Sequence, residues 1–290
     1  MFQFFANIFG YLLDLINNLV GNYGLAIILF TVVIKVIMLP LSIKQQRTMK
    51  KSNEINEKVK VLQFKYKNDP EKLNREMMDL YKQEKMSPFS GCLSVIVQFI
   101  LLISIFYMVR YPLTYMEKMN TDQINSYIEQ LKNDEKSVST TYAEIDVVRE
   151  IDYLREKFPE DEKLKEVNLN MNFFGLDLSK IPQQNLGDWT VYIIPVLYII
   201  STFVSMRITT SMTQKKKKSN EVIDVTEEKA EEKNEMEDAM EQSNKMMSWM
   251  MPIMSISISL VAPLGLALYW LVNNVLMIAE RLVLNKIVKE

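Results

Sequence analysis

Four long apolar runs dominate this chain: Gly24 to Leu41, Cys92 to Val109, Val191 to Met206 and Met246 to Val283. A helix needs about 20 mainly apolar residues to cross a bilayer. In hydrocarbon, every backbone N–H and C=O must also be satisfied within the spanning structure. The first three runs each suit one crossing. The fourth is about twice as long and is broken by Ala262-Pro263-Leu264-Gly265, which suits two short helices and a tight turn. The expected fold is an all-α polytopic membrane protein with five transmembrane helices. The formal net charge of −2 conceals this, because very apolar and very charged blocks alternate.

The expected segments run as follows. Residues 1–22 form an N-terminal amphipathic surface helix, 23–42 the first crossing, and 43–90 a cytoplasmic helical hairpin. Residues 91–111 cross again, 112–189 form an acidic extracytoplasmic segment, and 190–207 make the third crossing. A charged cytoplasmic loop fills 208–245, the fourth and fifth crossings occupy 246–262 and 263–284, and 285–290 are a cytoplasmic tail. In the first segment Gln3, Asn7, Asp14 and Asn18 recur at helical spacing against Phe2, Phe5, Phe9, Leu12, Leu13 and Ile16. That pattern fits a helix lying in the interface plane, with a further weak transmembrane helix as the competing reading. The segment lacks the basic start of a secretory signal and the Arg/Ser richness of a transit peptide.

Charge bias in the loops sets the orientation. Ser42 to Ser90 carries twelve basic and seven acidic residues, whereas Leu113 to Asp188 carries nine basic and sixteen acidic. Arg207 and Lys215 to Lys218 follow the third crossing directly, and Arg281, Lys286 and Lys289 lie at the end. The expected N-terminus is therefore outside and the C-terminus cytoplasmic.

Several chemistries are excluded. The chain has no histidine, so imidazole-based metal sites and Ser-His or Cys-His relays cannot be built. Its single cysteine, Cys92, allows no internal disulfide and reads as a small structural residue. There is no nucleotide-binding Walker motif. No cofactor, metal or specific nucleic-acid site is expected.

The hairpin follows from periodicity. Ile55, Val59, Leu62 and Tyr66 share one helical face, as do Leu73, Met77, Leu80 and Tyr81. Asn68-Asp69-Pro70 breaks the two, with Asp69 placed to cap the second helix and Pro70 at its first position. Glu54 with Lys58, and Glu71 with Arg75, are spaced for i,i+4 pairing. Tyr66, Asp69, Pro70, Met77 and Tyr81 mark a candidate docking arm; a solvated spacer is the alternative. In the outer segment two helices are expected near Thr121 to Leu131 and Thr141 to Phe158. The stretch from Thr213 to Gln242 is too charged to bury a core and reads as a disordered or frayed helical loop.

Each crossing carries some polar residues: Thr31 and Lys35, then Ser94, Gln98 and Ser104, then Ser201, Thr202 and Ser205. Ser255, Ser257 and Ser259 follow, and Trp270, Asn273 and Asn274 lie in the last. Such serines and threonines often act as packing glue. Lys35 is different. It is the only charge in the middle of any membrane-length run, and an ammonium at that depth costs about 2.5 kcal/mol or more on insertion scales. No acid lies mid-span to pair with it, since Glu280 is near a helix end, so a wet inner face is expected. Snorkelling toward Pro40 and Leu41 is the other reading. Met246, Met247, Met250, Met251 and Met254 crowd one short helix, either as an adaptable apolar surface or as lipid-facing filler.

These residues also carry a resemblance. Asn22-Tyr23-Gly24-Leu25-Ala26-Ile27-Ile28 leads on to Lys35 and Leu39-Pro40-Leu41. Then come Lys65-Tyr66, Asp69-Pro70-Glu71-Lys72-Leu73, and Ser87-Pro88 before Gly91-Cys92-Leu93. Met251-Pro252-Ile253-Met254 and Leu268-Tyr269-Trp270 with Asn274 complete the series. Spread over nearly the whole membrane core, they resemble the YidC–Oxa membrane protein insertases in their short bacterial form. The resemblance implies a polar groove among five helices, open to cytoplasm and lipid and closed to the outside, in a bacterial plasma membrane. It also implies nascent membrane proteins as clients, with the lipid bilayer, the Sec translocon and the ribosome as surroundings.

Placed in that groove, the candidate site is Lys35, Thr31, Gln98, Ser94, Ser201, Thr202, Ser205, Trp270, Asn273 and Asn274. Acidic client tails would gain most from the ammonium. Three features depart from the family pattern: Lys35 where arginine is usual, an acidic outer insertion around 117–166, and a long charged loop after Lys215. The C-terminal tail is also short. An anion transporter or channel using Lys35 is the alternative function, and an assembly factor for membrane complexes overlaps with the first.

Overall fold

The computed structural model describes residues 2–66, 69–85, 90–220, 249–250 and 253–287. Helix α1 (Phe2–Val20) buries Ala6, Phe9, Gly10, Leu13, Ile16 and Asn17 while leaving Phe4, Ile8, Tyr11, Leu15 and Leu19 exposed. It is thus apolar on two faces, one against the protein. The chain reverses at Gly21, whose φ of +66° is a left-handed conformation open to glycine without a Cβ penalty. Asn22 then caps α2 (Tyr23–Lys65) by accepting from the Leu25 N–H at 3.1 Å.

Helix α2 runs for 43 residues straight through Pro40. The first crossing and the first hairpin arm, expected as separate segments, are one rod about 65 Å long. An interior proline removes one helical hydrogen bond and crowds the carbonyl four residues back. Neighbouring helices let apolar spans absorb that loss. The arm is therefore set by the direction of the span beneath it.

Asp69 accepts from the Lys72 N–H at 3.0 Å and Pro70 opens α3 (Pro70–Gln83), as the spacing requires. The seam is thin: Ile55 and Val59 are buried, but no described residue of α3 is. Arg75 pairs with Glu71 at 3.0 Å in full solvent, which contributes little. Lys58 does not turn to Glu54. It crosses to Glu84, whose backbone carbonyl also accepts from Lys51, so the end of the second arm is tied to the first. Spacing alone favoured the local partner, but the antiparallel return of α3 brings a better one.

Helix α4 (Ser90–Arg110) leads into a cap built from α5 (Pro112–Tyr115), α6 (Thr121–Asn133), α7 (Ala143–Arg149), α8 (Ile151–Lys157) and α9 (Glu162–Glu166). A two-stranded hairpin, β1 (Asn172–Phe173) with β2 (Leu176–Asp177), follows. The single helix expected from Thr141 to Phe158 is split in two, because Glu150 leaves helical geometry at φ −95°, ψ 22°. Helix α10 (Ile193–Asn220) continues through Lys215 to Lys218, which were expected in a loop; residues 221–248 lie outside the described residues. Residues 253–261 form α11, and the expected turn at Ala262-Pro263 leads into α12 (Leu264–Ile287).

Among the described residues, three stretches are long and apolar enough to cross a membrane: Tyr23–Gln63, Trp189–Ile208 and Leu264–Leu284; Phe99–Arg110 is a shorter apolar stretch. The bundle pairs α10 with α12, α12 with α2, and α2 and α4 with α1. Close approach explains one glycine. A Cβ on Gly10 would stand 2.1 Å from the Tyr115 carbonyl oxygen, so α1 meets α5 backbone to backbone.

One strand of the cap stitches the bundle together. The Asn17 and Asn22 side-chain amides donate to the carbonyls of Asn168 and Asn172, each at 2.7 Å, and the Tyr23 N–H donates to Asn170 O at 3.0 Å. Ten residues on, Leu178 O and Lys180 O accept from the N–H groups of Gly265 and Leu264, both at 2.9 Å. The orphan amides that begin α2 and α12 are thereby satisfied by the same segment. The two helices start side by side and run parallel. A Cβ on Gly265 would lie only 3.3 Å from the Tyr23 ring.

Acidic groups inside the cap are held by design of the backbone. Glu144 accepts from the Thr114 N–H at 2.9 Å and its hydroxyl at 2.6 Å, yet burial still pushes its carboxyl up. Glu117 is pushed up to about 7, first by burial and then by the charge of Asp14, against a backbone hydrogen bond from Asn168. A carboxyl raised in the folded state keeps its proton there while the unfolded chain has released it, so stability falls as pH climbs from about 4.5 to about 7. Thermal unfolding in mild detergent should show that fall. Glu117→Gln should flatten it and raise the midpoint above pH 7 by about 2 °C.

Candidate functional site

Lys35 lies where α2 turns from its buried face to its exposed one. Thr31, one turn earlier, is 2% exposed and donates to Ile27 O at 2.6 Å. Val32, Val36 and Ile37 are exposed. The Lys35 ammonium is not alone: its Nζ lies 3.3 Å from Glu280 Oε2 on α12, with the two side chains 22% and 14% exposed. This corrects the sequence expectation of an uncompensated charge.

The reason is the parallel start of the two helices. Tyr23 and Gly265 stand at one level, so Lys35 is about 18 Å and Glu280 about 22 Å along their helices at 1.5 Å per residue. The lysine stem spans the difference by leaning toward the hairpin end. Lys35 therefore ends at a carboxylate on the neighbouring helix, a partner that neither the wet inner face nor snorkelling had supplied.

A second polar cluster joins α10 to α12. Asn274 Nδ2 donates to Ser201 Oγ at 2.9 Å and to Thr202 Oγ1 at 3.2 Å. Both hydroxyls donate back to Tyr198 O, at 2.7 and 2.9 Å. All three side chains are under 10% exposed, and the Trp270 ring lies against Tyr198 with centroids 6.1 Å apart. The hydrogen bonds of Ser201, Thr202 and Asn274 are thus used between helices or along their own. Ser205 is buried on the same face of α10, and Asn273 is half-buried beside the cluster. The side chains of Ser94 and Gln98 lie outside the described residues. So do Met246, Met247 and Met251, while Met250 and Met254 are exposed.

On the hairpin, Tyr66 closes α2 and its ring is flanked by the ammonium groups of Lys65 and Lys72, at 5.2 and 5.1 Å from the centroid. Asp69 and Pro70 do capping work, and Met77 and Tyr81 line the half-buried seam. Sequence reasoning set Glu280 aside because it lies near a helix end. The signal that would have recovered it is the equal depth of the two positions once their helices share a starting level. No motif marked Asn17 or Glu84.

A bundle of apolar helices that holds, among the described residues, an ion pair and an amide–hydroxyl cluster defines a polytopic helical membrane protein. The chain belongs to the 60Kd inner membrane protein family, that of the YidC–Oxa proteins: the family profile matches residues 15–290. A protein of Caldanaerobacter subterraneus subsp. tengcongensis named "Membrane protein insertase YidC" is 49% identical over 104 residues, which is 36% of this chain and 50% of that protein. One of the same name from Francisella tularensis subsp. novicida is 45% identical over 107 residues, 37% of this chain and 19% of that protein. The aligned stretch spans half or less of these curated relatives.

Proposed function

We propose that this protein is a membrane protein insertase, with no catalytic chemistry, that receives nascent membrane proteins in a polar groove within the bilayer. The reading takes α2, α4, α10, α11 and α12 as five crossings, the groove facing the hairpin end and the lipid, and the cap closing the other end. The hairpin and the C-terminus then face the cytoplasm of a bacterial cell, and α1 lies at the outer surface. Family membership and the names of the relatives support it. The single observation that carries it is a part-exposed ammonium inside a bundle of apolar helices.

Mechanistically, a client's short polar tail or loop enters from the cytoplasm. Transfer of an unpaired polar group into hydrocarbon costs several kcal/mol, so a half-way polar site lowers the barrier. Lys35, Trp270, Asn273 and Ser205 are the lining we assign. Thr31, Ser201, Thr202 and Asn274 hold the walls together. The client's apolar segment then leaves sideways into lipid, gaining about 25 cal/mol per Å² removed from water. The α2–α3 arm, through Tyr66, Met77 and Tyr81, guides the incoming chain; the ribosome and the Sec translocon are the partners such a route calls for. An anion carrier resting on Lys35 is less well supported, since Glu280 already neutralises the ammonium.

The test is photo-crosslinking from a reactive residue at position 35 to a ribosome-stalled membrane protein. A crosslink confined to the client's polar tail and early apolar segment is expected. No crosslink to any of several clients, with the variant present in the membrane at normal levels, would overturn the groove.

A further inference from the structure

Resting on the insertase reading, the geometry assigns Glu280 a role beyond holding helices together. Its carboxylate is the same chemical group as an aspartate or glutamate on an incoming tail, and it lies 3.3 Å from the Lys35 ammonium. Client and Glu280 therefore compete for one ammonium. The pair is not sealed, since the lysine side chain keeps 22% of its surface open. A lysine is also suited to exchange: its charge is a point on a flexible four-carbon stem with three rotatable donors, whereas a guanidinium fork would hold one carboxylate in fixed bidentate geometry. Nor is the pair the sole tie between α2 and α12, because the cap segment already fastens their starts through the N–H groups of Tyr23, Leu264 and Gly265.

We infer that Glu280 is a resident competitor that sets the charge selectivity of the groove. With it in place the Lys35 ammonium is already paired, and acidic tails are admitted only by displacing it. Uncharged polar tails meet no such exchange. The ammonium that the sequence suggested as a lure for acidic tails is thus held in check from within the chain.

The experiment uses the full chain reconstituted in phospholipid vesicles. Two single-span clients are compared, one with an uncharged polar N-tail and one with aspartates in the same tail, scored by protease protection. Glu280→Gln keeps a hydrogen-bond acceptor for Lys35 but removes the charge. It should raise the ratio of acidic-tail to uncharged-tail insertion about fivefold, the scale of a part-exposed ion pair. Glu280→Asp, one methylene shorter, should raise it less, and serves if the glutamine variant does not accumulate. Lys35→Gln leaves Glu280 unopposed and should lower the ratio below that of the unaltered protein. An unchanged or reduced ratio in the Glu280 variants, while the unaltered protein inserts clients, would overturn the inference and leave the insertase reading standing. If the unaltered protein inserts neither client above protein-free vesicles, both fall.

Discussion

Lys35→Glu should be the most damaging single charge change in the bundle, and Glu280→Lys in the same chain should repair most of the damage. The reversal places two carboxylates where an ion pair at 3.3 Å stood, in side chains no more than 22% exposed. Two like charges there repel at close range, so the helices part or the charges are forced outward. Reversing one charge replaces the attraction of a part-exposed pair by a repulsion, with an expected loss of about 2 kcal/mol. Swapping the residues restores opposite charges across the same gap, and a coupling of about 1–3 kcal/mol should appear in the double-mutant cycle. Unfolding in mild detergent, followed by circular dichroism, reads all four corners. Equal instability of the single and double variants would mean that the two groups do not act on each other.

Gly10→Ala should destabilise by about 2–3 kcal/mol, although it adds one methyl group. The new Cβ would lie 2.1 Å from Tyr115 O and 2.6 Å from Tyr115 C, atoms of backbone that α5 holds in place. Relief requires α1 to lift off the cap, exposing Leu13 and Ala6, both fully buried. Gly187→Ala is the control: nothing stands within 4 Å of its Cβ, and a change within about 0.5 kcal/mol is expected. The same melts measure both. A Gly10 variant as stable as the control would place α1 elsewhere.

Much of this was written in the chain. The apolar runs located α2, α10 and α12, the Asp69-Pro70 pair located the hairpin break, and Ala262-Pro263 located the last turn. These signals are local, set by periodicity and by residues with restricted backbones. The family motifs reached further, since they touched Asn22, Tyr23 and Gly24 before anything showed that these meet the cap. What stayed illegible depends on which helices are neighbours and at what height. Lys58 turned to Glu84 rather than Glu54, and Lys35 found Glu280, because tertiary proximity outranks spacing along one helix. The continuity of α2 through Pro40 was hidden for another reason: proline is a strong stop signal in water and a weak one among packed apolar helices.

The Asn168–Lys180 segment that fastens the starts of α2 and α12 acts as a common ruler. Because both helices are measured from the same mark, the meeting of residues 35 and 280 is decided some 20 Å away, by hydrogen bonds to a segment that touches neither. A single residue inserted into α12 between Gly265 and Glu280 would swing the acid about 100° around its axis and out of reach. The spacing from Gly265 to Glu280 is therefore as much a part of the ion pair as the two side chains that form it.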